Sequence, residues 1–245
     1  EPRTTGHYAV IKEHNNRKFI SKGHDDRKDQ SYVLWGLTQP CLERSSFPLG
    51  HFSKPEIRQM AKDFGYEELS KKAESYEICF VPDNDYRGFL KRRVPGLEES
   101  VKGGTFVNAQ GEVLGKHEGY PFYTIGQRKG LGGGFLKPMF VTGIIPETNT
   151  VVLGEIDELI RNGMTVGQIN MMKYEAITDG MEAATQVRYN DGGVMSALHQ
   201  IGDEVKVEFF ANVRGIAPGQ SAVFYENDDV IGGGIIKNSS FAPMS

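Results

Sequence analysis

The sequence predicts an α/β segment followed by two β-rich segments. Three observations carry that reading. A capped amphipathic helix pattern at 53–64 precedes a short apolar run at Ile78–Val81. After Pro95-Gly96 the chain turns glycine-rich, with short β-prone runs. From about Glu155 to the C-terminus, strand-like runs recur without helical periodicity, which argues for a small barrel or sandwich. Divisions near residues 93 and 154 follow, giving segments 1–93, 94–154 and 155–245. At roughly 100–200 residues per domain, 245 residues suit two domains or three small ones.

In order, His7–Glu13 is β-prone, Asn15-Asn16-Arg17 suits a turn, and Lys18–Ser21 a return strand. Asp29–Leu37 carries a helical pattern. The clearest helix runs from Ser53 to Phe64. Ser53 and Glu56 form an S-x-x-E capping box, in which each side chain satisfies an amide at the helix start. Ile57, Met60, Ala61 and Phe64 recur on one face and predict a buried stripe. Gly65 is the C-terminal stop. Ile78–Val81 then predicts a strand whose carboxyl end carries Cys79, and ligands of open α/β sheets bind outside such ends. Further strands are expected at Gly104–Asn108, Tyr123–Ile125, Met139–Ile145 and Thr150–Leu153. The last segment offers Thr165–Met171, Ala183–Tyr189, Glu204–Phe210, Ser221–Tyr225 and Val230–Ile236, with a hairpin turn at Asn227-Asp228-Asp229.

A net charge of −4 gives no basic field, so any RNA binding would rest on local groups. No apolar run approaches a membrane span and no signal peptide is visible, so no membrane partner and a cytoplasmic, reducing location are expected. Two cysteines at unrelated spacing make neither a zinc set nor a disulfide framework. Six scattered histidines show no H-x-x-x-H spacing, so no metal site is expected. The chain starts at Glu1, not Met, and runs at once into a β-prone stretch. The expectation is that preceding residues are missing by truncation, cleavage or disorder.

Cys79 is either core filler or a nucleophile, since only an activated thiolate attacks. Cys41 has a plainer context and is expected to be structural. In Lys28-Asp29-Gln30-Ser31, Asp29 either caps the following helix or helps that helix start present donors to a phosphate or base. Gly126-Gln127-Arg128-Lys129-Gly130 is a glycine turn with two cations, or a phosphate contact; it is not a Walker loop. Arg87, Lys91, Arg92 and Arg93 are a solvated helix end or an RNA-facing run. Arg188-Tyr189 either grips a phosphate and stacks on a base or splits outward and inward on a strand.

Taken together and in order, TGHYA, KDQSYVLWGL, FPLG, ICFVPDNDYRGFL, GKHEGYPFYTIGQRKGLG, VRY and APGQSAVFYENDDVIGGGII resemble the bacterial tRNA-specific 2-thiouridylase family over nearly the whole chain. The resemblance implies the remainder of a PP-loop ATPase-type α/β domain, a small central domain and a C-terminal antiparallel β-barrel. It implies ATP, with Mg as its counterion, activating the 2-oxygen of the wobble uridine in the tRNAs for Lys, Glu and Gln. Sulfur from a cysteine persulfide then replaces that oxygen, AMP leaves, and a donor protein supplies the sulfur. By motif, Cys79 corresponds to the persulfide cysteine, Gly6 to a nucleotide contact, and His7 to a tRNA contact. Lys28, Asp29, Gln30, Arg188, Tyr189 and Gln220 likewise correspond to tRNA contacts. The family's S-G-G-x-D-S loop and N-P-D-x-x-C segment are absent from these residues, and Cys41 does not match the partner cysteine. The expectation is that these residues alone are inactive. A non-catalytic RNA-binding module is the alternative, and a thiol redox protein is disfavoured by the lack of C-x-x-C. Asn190-Asp191-Gly192-Gly193 departs from the basic residues that often follow R-Y in the family.

Overall fold

The structure, a computed structural model, describes residues 3–71, 81, 83, 85–132 and 134–240. Contacts gather the chain into two units. The first takes Glu1–Lys72, Arg161–Val213 and Ala217–Ser245; the second takes Ala73–Ile160 and Arg214–Ile216.

In the first unit a short strand β1 (Arg3–Thr4) precedes a hairpin of β2 (Ala9–His14) and β3 (Arg17–Lys22). Asn15 and Asn16 both take positive φ, 49° and 59°. That is the geometry of a two-residue turn whose twist matches the strands, and asparagine tolerates it. A four-residue 3-10 helix, Ser31–Leu34, replaces the longer helix expected over 29–37. Helix α1 (Gln39–Glu43) leads to β4 (Ser45–Ser46), which pairs in parallel with β1. The FPLG stretch passes against β2 so closely that a Cβ on Gly50 would lie 1.9 Å from the Ala9 carbonyl oxygen, so only glycine fits there.

Helix α2 (Lys54–Asp63) begins as expected, with the Ser53–Glu56 box formed on both sides. It ends in a Schellman pair: Tyr66 N–H donates to Ala61 O and Gly65 N–H to Lys62 O, with Gly65 at φ 83°. The buried stripe is corrected, because α2 has no buried residue and Phe64 is 73 % exposed. Capping is a local signal, whereas burial of a stripe needs a partner surface. Helix α3 (Glu67–Lys71) follows. The strand expected at Ile78–Val81 falls outside the described residues except for Val81, which is buried.

The second unit holds α4 (Tyr86–Arg93), α5 (Leu97–Ser100) and a four-stranded sheet of β5 (Gly104–Val107), β6 (Val113–His117), β7 (Phe140–Ile145) and β8 (Thr150–Gly154). The order is β6-β5-β8-β7, with β5–β8 parallel and the outer pairs antiparallel. Its core joins Phe106, Phe122, Tyr123, Val141, Val151 and Leu153, with Leu90 of α4 and Leu97 of α5 packed on it. Residues 123–125, expected as a strand, are irregular, because Tyr123 closes a 3-10 turn at Tyr120–Phe122.

The remaining strands are β9 (Ile160–Met171), β10 (Met181–Gln186), β11 (Val194–Ile201), β12 (Glu204–Arg214), β13 (Ser221–Glu226) and β14 (Asp229–Ser240). They run in the order β13-β10-β11-β12-β9-β14, and β13 pairs again with β14, which closes a six-stranded C-terminal barrel. The β2–β3 hairpin attaches to β14 through β3. One core therefore joins Phe19, Ile20, Tyr32, Leu42 and Phe47 to Met172, Val223, Tyr225 and Val230 of the barrel part.

Candidate nucleic-acid interface

Segment 22–31 is shaped by the Asp29 carboxylate. Its Oδ1 accepts from the amides of Gly23 (3.0 Å) and Ser31 (3.2 Å), and its Oδ2 accepts from the Ser31 hydroxyl (2.6 Å). The Ser31 hydroxyl also meets the Tyr225 hydroxyl of β13 at 3.0 Å. Gln30 exchanges bonds with Tyr8: its side-chain oxygen accepts from Tyr8 N (3.1 Å), and its own amide donates to Tyr8 O (2.9 Å). The stretch Thr5-Gly6-His7-Tyr8 is thereby fixed beside Lys28-Asp29-Gln30, and Asp29 braces this loop without being the helix N-cap that one alternative expected. Gln30 itself is the residue before the 3-10 helix.

Across the barrel, β10 stops at Gln186, two residues before Arg188, so Arg188 and Tyr189 lie in a bend and turn, not on the strand as expected. Asp191 N–H donates back to Arg188 O (3.1 Å) to form that turn. The Tyr189 hydroxyl donates to Asp29 O (2.8 Å), and its ring meets Tyr32 edge-on at 6.1 Å. Two segments 160 residues apart in sequence thus converge. The Tyr32 hydroxyl is pushed up to about 12 by burial, then by Asp191. It stays a neutral donor, as its bond to Ser221 O (2.8 Å) requires. Trp35 Nε1 donates to Ser221 Oγ (2.9 Å). Gln220, at the end of the Ala217-Pro218-Gly219-Gln220 turn, precedes that anchored serine and accepts at its carbonyl from Ile236 N (2.8 Å).

Two clefts result. One, of about 490 Å³, is polar and includes Asp29 and Tyr189. The other, of about 650 Å³, includes Thr5, His7, Arg3, Arg44, Cys41 and Phe47. His7 is held there by Thr5 Oγ1 at its Nδ1 (2.8 Å) and by an edge contact with Phe47. Cys41 is exposed on the short α1.

Comparison with known proteins adds the family. The model described as "tRNA methyl transferase HUP domain" matches residues 2–83. The "tRNA methyl transferase PRC-barrel domain" matches 87–155, and the "Aminomethyltransferase beta-barrel domain" matches 161–236. The tRNA-specific 2-thiouridylase MnmA of Cytophaga hutchinsonii is 61 % identical over 236 residues, which are 96 % of this chain and 64 % of that protein. The proteins of the same name from Amoebophilus asiaticus and Salinibacter ruber are 58 % and 51 % identical, over 98 % and 95 % of this chain and 64 % and 61 % of theirs. The chain belongs to the tRNA-specific 2-thiouridylase family. It spans just under two thirds of the length of these curated relatives.

Against the 2-thiouridylase motifs, the first unit brings Lys28, Asp29, Gln30 and Tyr189 together, with Arg188 exposed next to Tyr189. His7 lies in the other cleft. Gly6 is exposed, and a Cβ there would meet only Leu49 Cδ1 at 3.5 Å, so no close approach demands glycine. Cys79 lies outside the described residues. In the second unit, Gln127 clamps the cationic turn: its Oε1 accepts from Thr124 N (3.1 Å) and its Nε2 donates to Lys129 O (2.8 Å), leaving Arg128 and Lys129 exposed. Arg87 stacks over Phe122 and Tyr123 and pairs with Glu118 (3.1 Å). Sequence reasoning missed Gln186, Asp26 and Asp191 as cleft residues; only the convergence of distant loops reveals them.

Proposed function

We propose that this chain provides the tRNA-gripping surface and the sulfur-bearing cysteine of a tRNA 2-thiouridylase. The observation that carries this is the 61 % identity to a protein of that name across 96 % of the chain. The convergence of Lys28-Asp29-Gln30 with Tyr189 supports it, because two motif segments meet at one surface. The family-model descriptions name methyl transfer; the relatives matched over the whole chain are named for thiolation, and the reading follows them.

In this reading Lys28 and Arg188 face tRNA phosphates, Tyr189 offers a ring to a base, and His7 and Gln220 give further contacts. Cys79 carries a persulfide, loaded by exchange from a donor protein. Its terminal sulfur attacks C2 of the wobble uridine in the tRNAs for Lys, Glu and Gln. A second thiol then breaks the S–S bond, taking Cys79 into a disulfide and leaving sulfur on the base. ATP supplies the leaving group, making the 2-oxygen depart with AMP. Among the described residues Gly6 does not by itself form a nucleotide site, so no step of adenylation is assigned to these residues, and the 245 residues alone are expected not to thiolate tRNA. The reaction belongs in the cytoplasm, where tRNA and ATP are found.

The test is a chimera in which the third of the Cytophaga hutchinsonii protein that has no match here is joined to this chain. Mass spectrometry of digested tRNA should show 2-thiouridine, and Cys79→Ser should abolish it while tRNA affinity stays within about twofold. Full thiolation by the Cys79→Ser chimera would contradict the assignment and favour a non-catalytic RNA-binding module.

A further inference from the structure

We propose that the polar cleft lined by Lys22, Asp26, Arg27, Gln186, Tyr189 and Asp191 receives one unpaired RNA base that carries amino donors, guanine in preference to uracil. The proposal rests on the tRNA reading above and adds a base preference to it.

Tyr189 supplies the platform. Its hydroxyl is pinned to Asp29 O and its ring is braced by Tyr32, yet it remains 45 % exposed. A ring held rigid and open offers stacking at little cost in side-chain entropy. The rim supplies acceptors. One oxygen of Asp191 takes the Gly193 amide at 3.1 Å, which orients the carboxylate on its turn, and Asp26 adds a second carboxylate. A carboxylate accepts only, so it selects N–H donors. Guanine presents N1–H and the N2 amino group side by side, matching two carboxylate oxygens. Uracil presents a single N–H between two carbonyl oxygens, and those oxygens would face like charge. Gln186, 8 % exposed on β10, adds an amide able to donate to the O6 or N7 of the same base.

Charge sorts the rest of the nucleotide. Carboxylates in the cleft repel phosphate and admit a neutral base, while the exposed Arg27 offers the backbone its counter-charge and Lys22 is shared with Asp228 of the same cleft at 3.7 Å. A metal is a poorer occupant, because among the described residues no three His, Cys, Asp or Glu side chains converge to hold one.

The test uses the 245-residue chain and fluorescein-labelled RNA pentamers UUGUU and UUUUU, with anisotropy as the readout and whole tRNA titrated in parallel. The pentamers carry equal charge, so the phosphate contribution cancels in their ratio. UUGUU should bind about tenfold tighter than UUUUU. Asp191→Asn, which keeps an oxygen for the Gly193 amide, should bring that ratio close to one, and Tyr189→Ala should weaken both pentamers. Equal affinity for the two, no binding of UUGUU, or a ratio that survives Asp191→Asn combined with Asp26→Asn would overturn the proposal. Bound tRNA without discrimination between pentamers would sink the base pocket and leave the tRNA reading standing. Discrimination without tRNA binding would support the pocket and sink the tRNA reading.

Discussion

The Asp29 carboxylate accepts three hydrogen bonds from its own fold, and its carbonyl takes the Tyr189 hydroxyl. A residue whose motif suggests RNA contact therefore also holds the segment on which that contact is proposed. Asp29→Ala should cost roughly 1–3 kcal/mol in urea unfolding, because the Gly23 and Ser31 donors lose their acceptor. An unchanged midpoint would show that those bonds contribute nothing. The motif was legible at Lys28-Asp29-Gln30 because it is contiguous. That Asp29 meets Tyr189 was not legible, since the contact joins loops 160 residues apart and depends on barrel closure.

At the scale of elements, signals carried within a few residues survived best. The Asn15-Asn16 turn, the Ser53–Glu56 box and the Gly65 stop form as expected because each is decided by backbone geometry and adjacent side chains. Ser53→Ala should lower hydrogen-exchange protection of the α2 amides about fivefold, the equivalent of ~1 kcal/mol; unchanged protection would mean that the cap is dispensable. Strands β6 and β11 escaped the sequence reading. In β6 the residues Val113 and Leu114 are exposed at a sheet edge, and β11 carries Met, Ser and Ala where β-branched residues would mark a strand. The Ile57–Phe64 stripe misled in the opposite way, since periodicity identifies a face but not what covers it. Inside the barrel part, Lys173 is 11 % exposed at its side chain and pairs with Glu226 (2.5 Å) and Asp229 (2.7 Å). Lys173→Ala should destabilise by about 1–3 kcal/mol, because Glu226 loses its cation and Asp229 keeps only the half-exposed Lys12. Thermal unfolding measures this, and a Tm within a degree of the parent's would rule it out.

For the molecule as a whole, each unit makes a different prediction. In the second unit the His117 ring packs on Phe106 and Tyr123, and its Nδ1 accepts from Gly119 N at 3.0 Å. Burial holds its pKa below the ordinary histidine value. The unfolded chain then binds a proton that the folded unit refuses, so the stability contribution is full above about pH 6.5 and falls as pH drops below it. Thermal unfolding at pH 7.5 and pH 5 should show that loss, and His117→Gln should lessen it. A loss identical in the variant would exclude His117 as its source.

The first unit bears the central claim, that a chain of net charge −4 grips tRNA through a few placed groups. The most direct measurement is tRNA affinity of the 245-residue chain as a function of salt, for the parent, Lys28→Ala and Arg188→Ala. The account predicts measurable binding, a shallow salt slope, and a slope reduced by about 0.7–1 in each variant. No binding by the parent, or binding that neither substitution changes, would contradict it.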